Sequence, residues 1–259
     1  MAEPQLLIAA LGGGVVGFSL ALVGGGGSIL AVPILVYLVG IRDPHLAIGT
    51  SAIGVAANAA IGLFGKARAG AVKWPCGLTF AAAGIAGAAL GSLAGKAFDG
   101  QALLALFALL MIIVGVMMLR RGEAAGDADV KFGRDNVGKL LLFGFATGLM
   151  SGFFGIGGGF LIVPGLIAAT GMPIFNAMAT SLVGVTGFGV TTAASYALSG
   201  LVAWTIAAAF IGGGFIGSLA GGRLAVQLSA RRGALTKVFA AMIFAVAAYM
   251  LWRAGAALM

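Results

Sequence analysis

Apolar residues fall in ten runs along the chain, at about 6–23, 28–39, 46–64, 74–94, 101–119, 139–154, 157–170, 175–197, 202–222 and 235–253. Between the fifth and sixth lies RRGEAAGDADVKFGRDNVGK, residues 120–139, the one substantial hydrophilic stretch. The pattern predicts five helical segments, a linker, and five more. A full span takes about 20 residues, because the hydrocarbon core is about 30 Å thick and each helical residue rises about 1.5 Å. The runs 28–39 and 157–170 are too short for that. Each follows a glycine cluster, in GGGGSILAVPIL (24–35) and GIGGGFLIVPGL (155–166). Glycine costs a helix about 1 kcal/mol per residue relative to alanine. The pattern therefore predicts a broken helix at both places, with the second piece starting at about Ser28 and Gly159.

The two places belong to a repeat, the first thing to seek in any chain. Gly24 and Pro33 match Gly155 and Pro164, and Gly40 matches Gly171. GTSAIG (49–54) matches ATSLVG (179–184), Gly70 and Trp74 match Gly200 and Trp204, and Gly84 and Gly87 match Gly214 and Gly217. The offset stays at 130 or 131. The expected organisation is a first half at 1–119, a hydrophilic linker at 120–138 and a second half at 139–259. An odd number of segments per half makes the halves inverted repeats.

Charge placement agrees. With the segments alternating sides, twelve of the fifteen Lys and Arg fall on one side, and only Arg42, Lys96 and Arg253 on the other. Counting each glycine-broken pair as one kinked span weakens the division to nine against six. The basic side is expected to be cytoplasmic, with the linker there and both termini outside. The loop GKARAGAVK (65–73) is basic and its repeat partner LSGLVA (198–203) is uncharged.

Composition places these segments in a bilayer. The chain is 61% hydrophobic and 8% charged, with a mean hydropathy of +1.14, against about 25% charged for soluble domains. It reads as an all-α, multi-pass protein of the cell inner membrane. Glycine, at 46 of 259 residues, lets membrane helices approach closely, and packing is the expected role of Gly84, Gly87, Gly91, Gly214 and Gly217. The net charge of +8 reports orientation and not a nucleic-acid partner. Cys76, the single cysteine, has no disulfide partner within the chain and no metal-ligand cluster around it. The start MAEPQ has no basic region and does not read as a cleaved signal peptide.

Irregular backbone at membrane depth is tolerated where it is buried in protein or lines a wet cavity. Broken segments at equivalent points of two inverted halves point to a transporter's binding site. A helix start offers free N–H groups and the positive dipole end, and two of them make an anion site without lysine or arginine. The candidate substrate-binding residues are Gly25, Gly26, Gly27, Ser28, Thr50, Ser51, Asn58, Gly157, Gly158, Gly159, Thr180 and Ser181. Gly24, Pro33, Gly155 and Pro164 are the candidate hinge positions. Thr50, Ser51, Thr180 and Ser181 also suit a plainer role, bonding back to the preceding turn. Asn58 lies mid-helix and needs a partner. Thr186, Thr191, Thr192 and Ser195 suit packing, His45 an interface, and Trp74, Trp204 and Trp252 interfacial anchoring.

Several chemistries are disfavoured. All seven acids (Glu3, Asp43, Asp99, Glu123, Asp127, Asp129 and Asp135) lie outside the apolar runs, so an acid proton relay is not indicated. There is no Walker motif. No histidine lies within an apolar run to activate Ser28. The chain does not read as an enzyme, and neither a metal nor a cofactor is expected.

The duplicated GGGGSILAVPIL and GIGGGFLIVPGL, each followed by a TS pair, with two halves and a hydrophilic middle, resemble the sulfite exporter TauE/SafE family, also called TSUP. The resemblance covers nearly the whole chain. It implies a permease for small anions such as sulfite, sulfonates such as sulfoacetate, or related carboxylates. The family's motif carries over at Gly24 to Ser28 with Pro33, and at Gly155 to Gly159 with Pro164. The resulting expectation is alternating-access transport, with an anion-selective channel of the re-entrant type as the competing reading. Homo-oligomerisation, direction and coupling ion are left open by the sequence.

Overall fold

The computed structural model describes residues 3–121, 133–155, 159–229, 241, 243–249 and 252. Most of the linker and the candidate residues Gly157 and Gly158 lie outside them. Among the described residues there is no strand. Seven helices among the described residues are long and apolar enough to cross a membrane.

The elements in order are α1 (Glu3–Val23), a 3-10 segment (Gly24–Leu30), one α-turn α2 (Ala31–Pro33), a π segment (Ile34–Leu38), α3 (Pro44–Arg68), α4 (Trp74–Lys96) and α5 (Gly100–Arg121). After the linker come α6 (Arg134–Phe154), α7 (Gly159–Thr170), α8 (Ile174–Leu198) and α9 (Trp204–Ser229). Residues 243–249 are helical.

The first glycine cluster breaks the helix where expected, at Gly24 with φ +68°, but the second piece starts earlier than Ser28: the rest of the tetrad already winds as 3-10 backbone. A 3-10 turn eclipses side chains at i and i+3, which glycines lack. Beyond it the helix widens. Pro33 has no N–H, and its ring crowds the carbonyl four residues back. The ladder passes to π spacing, and Val39 N–H donates to the Ile34 carbonyl over 3.0 Å. Pro164 is held inside α7, which stays α-helical.

Both short elements double back on the helix before them. A Cβ on Gly27 would strike the Ser19–Leu20 backbone, and one on Gly12 would strike Ile34. In the second case a Cβ on Gly165 would meet Thr147 of α6. Left-handed glycines make the turns. The described residues with positive φ are all glycine and form three pairs, Gly24 and Gly155, Gly40 and Gly171, Gly70 and Gly200. Each pair carries the repeat offset.

The two most extensive helix pairs, α1 with α9 and α4 with α6, are built on glycine. A Cβ on Gly13, Gly17, Gly213, Gly217 or Gly221 would fall on backbone across the α1–α9 seam. The same holds for Gly87, Gly91 and Gly95 of α4 and for Gly144, Gly148 and Gly152 of α6. In both pairs the helices run parallel, since Gly13 meets Phe210 and Gly17 meets Gly214, while Gly87 meets Phe145 and Gly95 meets Phe153. Backbones this close gain dispersion and Cα–H···O contacts that larger residues would prevent. Between the pairs α3 and α8 cross antiparallel, with Gly49 at Tyr196, Gly189 at Ala56 and Gly62 at Leu182. The end of α4 lies at the start of α9, where Lys96 Nζ donates to Ser199 Oγ over 2.9 Å. The α1–α9 pair therefore points opposite to the α4–α6 pair.

The segment ends behave as expected of a membrane protein. Trp204 is 64% exposed and Trp74 is 42% exposed. Asp43 caps α3 by accepting from His45 N–H (2.9 Å), and Asp99 accepts from Ala102 N–H (2.8 Å) at the start of α5.

Candidate functional site

The two glycine clusters meet. Gly25 and Gly159 touch backbone to backbone, so closely that a Cβ on either would overlap the other's main chain. Around them the contacts come in repeat-related pairs. Gly24 sits on the backbone of Met178 in α8, and Gly155 sits on the side chain of Ile48 in α3. Gly24 to Ser28 are all buried, and so is Gly159.

Gly25 lies in the first 3-10 turn, where an N–H has no acceptor within the helix. Its N–H donates to Ser181 Oγ over 3.0 Å. Ser181 Oγ in turn donates to the Met178 carbonyl (2.8 Å), and Ser28 Oγ donates to the Gly25 carbonyl (2.9 Å). Ser51, the repeat partner of Ser181, donates to the Ile48 carbonyl over 2.8 Å. The N–H equivalent to that of Gly25 belongs to Ile156, outside the described residues. The chemistry here is that of backbone N–H and hydroxyl groups at a helix start, suited to anionic oxygens.

Thr50 and Thr180 do something else. Thr50 Oγ1 donates to the Leu46 carbonyl (2.6 Å) and accepts the N–H of Ala203 (3.0 Å). Thr180 Oγ1 accepts the N–H of Lys73 over 3.0 Å. Each hydroxyl holds the loop entering a helix of the other half, α9 in one case and α4 in the other. The two bonds are equivalent under the offset of 130 and lie at opposite ends of the bundle.

Asn58 lies on the Ser51 face of α3, seven residues on, or about two turns. It is fully buried, and neither Nδ2 nor Oδ1 has a hydrogen-bond partner among the described residues. Its amide fills the place where a Cβ on Gly214 would go. The repeat-related contact is Phe188 against Gly84, with Phe188 stacked 6.3 Å from Phe80. One position thus carries an amide in α3 and a ring in α8. Buried amides without partners are rare in folded proteins.

The remaining polar candidates divide. Thr186 and Thr191 bond back to Leu182 and Gly187, both over 2.8 Å. Thr192 Oγ1 is buried without a partner, and the Ser195 carbonyl accepts from Lys96. Among the described residues no group of three or more His, Cys, Asp or Glu is placed to hold a metal.

Two further contacts escape the motif reading, although the offset of 130 would have found them. Lys66 matches Tyr196, and His45 matches Phe175. Lys66 Nζ lies 4.9 Å above the Phe175 ring, and at the other end Tyr196 packs 6.3 Å from His45.

Comparison with known proteins points to a family of membrane proteins. The family model described as sulfite exporter TauE/SafE matches residues 9–250. A probable membrane transporter protein of Xylella fastidiosa (strain Temecula1) is 49% identical, covering 98% of both chains. The probable membrane transporter protein YunE of Bacillus subtilis is 27% identical over 83% of this chain and 86% of its own. A probable membrane transporter protein of Methanocaldococcus jannaschii is 32% identical over 69% of this chain and 66% of its own. No solved structure matches. With a family model spanning nearly the whole chain, seven apolar spans among the described residues and relatives named as probable membrane transporters, the chain belongs to the TauE/SafE family and is a multi-pass membrane transporter.

Proposed function

We propose that the protein carries a small organic or sulfur-containing anion (sulfite, a sulfonate such as sulfoacetate, or a related carboxylate) across the cell inner membrane by alternating access. The observation that carries this reading is the meeting of Gly25 and Gly159, with the Gly25 N–H given to Ser181 Oγ. A hydroxyl that accepts from a helix-start N–H stands where an oxyanion would accept it. Ser28, Ser181, Asn58 and the glycine backbones, those of Gly157 and Gly158 included, supply the binding groups. Ser51 joins them by its equivalence to Ser181. Thr50 and Thr180 act as clasps on the loops.

The halves 1–119 and 139–259 are read as inverted repeats joined by a cytoplasmic linker at 120–138, with both termini outside. Three features support this. The positive-φ glycines and the threonine clasps pair at one offset. The α1–α9 pair opposes the α4–α6 pair in direction. The basic residues concentrate on one side. Each glycine-locked pair takes one helix from each half and is close-packed enough to move as a unit. Rocking of the two pairs about the α3–α8 crossing would part Gly25 from Gly159 and admit the anion from alternate sides.

The test is counterflow in proteoliposomes with labelled sulfite, sulfoacetate and acetate, beside thermal stability of the purified protein in the same anions. A ligand at 100 times its Kd stabilises by about 2.7 kcal/mol. Exchange that depends on anion inside the vesicle supports the transporter. Conductive flux without counterflow would replace it with an anion-selective channel of the re-entrant type.

A further inference from the structure

Building on the anion-transport reading, we propose that Lys66 is an anion-binding residue at the mouth of the pathway on the basic side, the functional counterpart of Tyr196 at the opposite mouth. Lys66 closes α3 and Tyr196 lies near the end of α8, at positions related by the offset of 130. Because α3 and α8 cross antiparallel, each sits beside the start of the other helix. Lys66 stands over Phe175, and Tyr196 stands beside His45.

The two ends treat their cation differently. At the Tyr196 end the ammonium belongs to Lys96, 5.8 Å above the ring, and it is committed: it donates to the Ser195 carbonyl (3.0 Å) and to Ser199 Oγ (2.9 Å). At the other end Lys66 is only 8% exposed. Among the described residues no carboxylate or hydrogen-bond acceptor meets it, and its contact is with the face of Phe175. A lysine this largely covered gives up part of its hydration, which is costly unless an opposite charge or acceptors compensate it. A ring face and the end of α3 compensate in part. A small anion entering beside Phe175 would complete the compensation. Its own desolvation would be offset before it reaches the helix starts, which carry only partial charge. Lys66 would thus favour anions over neutral analogues of the same size.

The experiment compares wild type, Lys66→Met and Lys66→Arg, each checked for monodispersity in detergent. Two readouts are taken: the shift in melting temperature on adding sulfite, sulfoacetate or acetate, and the concentration of the same anion giving half-maximal uptake. The proposal expects Lys66→Met to lose most of the anion-induced shift and to raise the half-maximal concentration tenfold or more. Lys66→Arg should stay within about threefold of wild type. A purely structural lysine would lower the melting temperature without anion and leave the anion-induced shift intact. An unchanged shift and half-maximal concentration in Lys66→Met overturns the role of Lys66 while anion transport stands. Absence of any shift or uptake in the wild type overturns the anion reading and this proposal with it.

Discussion

Gly25 and Gly159 touch main chain to main chain at the meeting of the two half-helices. No side chain fits on either. Gly25→Ala and Gly159→Ala should each cost about 1–3 kcal/mol through overpacking and abolish counterflow. Gly212 makes the contrast, since a Cβ there meets nothing within 4 Å. Gly212→Ala should be neutral or stabilise by up to about 1 kcal/mol. Gly213→Ala, one residue on, would press into the Ala10 carbonyl and should destabilise. Thermal melts of the four variants in one detergent decide whether close approach explains these glycines. Equal effects at Gly212 and Gly213 would contradict it.

The threonine clasps predict matched losses. Thr50→Val strands the N–H of Ala203, and Thr180→Val strands that of Lys73. Each should cost about 1–3 kcal/mol. The clasps sit at opposite ends, so the double variant should show the sum. Serine at either position keeps the acceptor and should recover most of the stability. Unequal losses would show that the two ends are not equivalent energetically.

Asn58 predicts a trade of stability against activity. Replacing a buried amide that has no partner by the isosteric leucine should raise stability by about 1–3 kcal/mol. Uptake should fall, because the amide is proposed to face the anion. A destabilised Asn58→Leu protein would mean that the amide is bonded in the membrane.

The helix caps predict effects on stability alone. Asp43→Ala and Asp99→Ala should each cost about 1 kcal/mol and leave uptake per folded molecule unchanged. A change in half-maximal concentration would draw these loops into the pathway. Neutralising the charges within 120–138 should likewise leave uptake intact if that stretch is only a tether.

Much of this was legible before any coordinates. Gly24 and Gly155 share a sequence neighbourhood, and both prove to be left-handed turns. Gly84, Gly87, Gly91, Gly214 and Gly217 read as packing residues and do pack against neighbouring helices. The conformation of the tetrad was not legible. Propensity counts glycine against a helix, whereas in the 3-10 segment the absence of side chains at Gly24 to Gly27 is what allows the tighter winding. The clasps were hidden for another reason. That Thr50 bonds back to Leu46 follows from spacing, but its acceptance of the Ala203 N–H depends on which loop the fold brings over it. Lys66 read as one more basic residue near a loop until its equivalence to Tyr196 gave the position a counterpart.

The glycine seam between α1 and α9 also bears on how the chain is made. α1 reaches the bilayer well before its partner, which begins only at Trp204. At roughly 5–20 residues per second, translation separates them by on the order of ten seconds. Through that interval Gly13 and Gly17 present bare backbone, a surface suited to another helix and not to lipid. α1 must therefore wait for α9, and a chain released before α9 would leave that seam open to whatever helix meets it first.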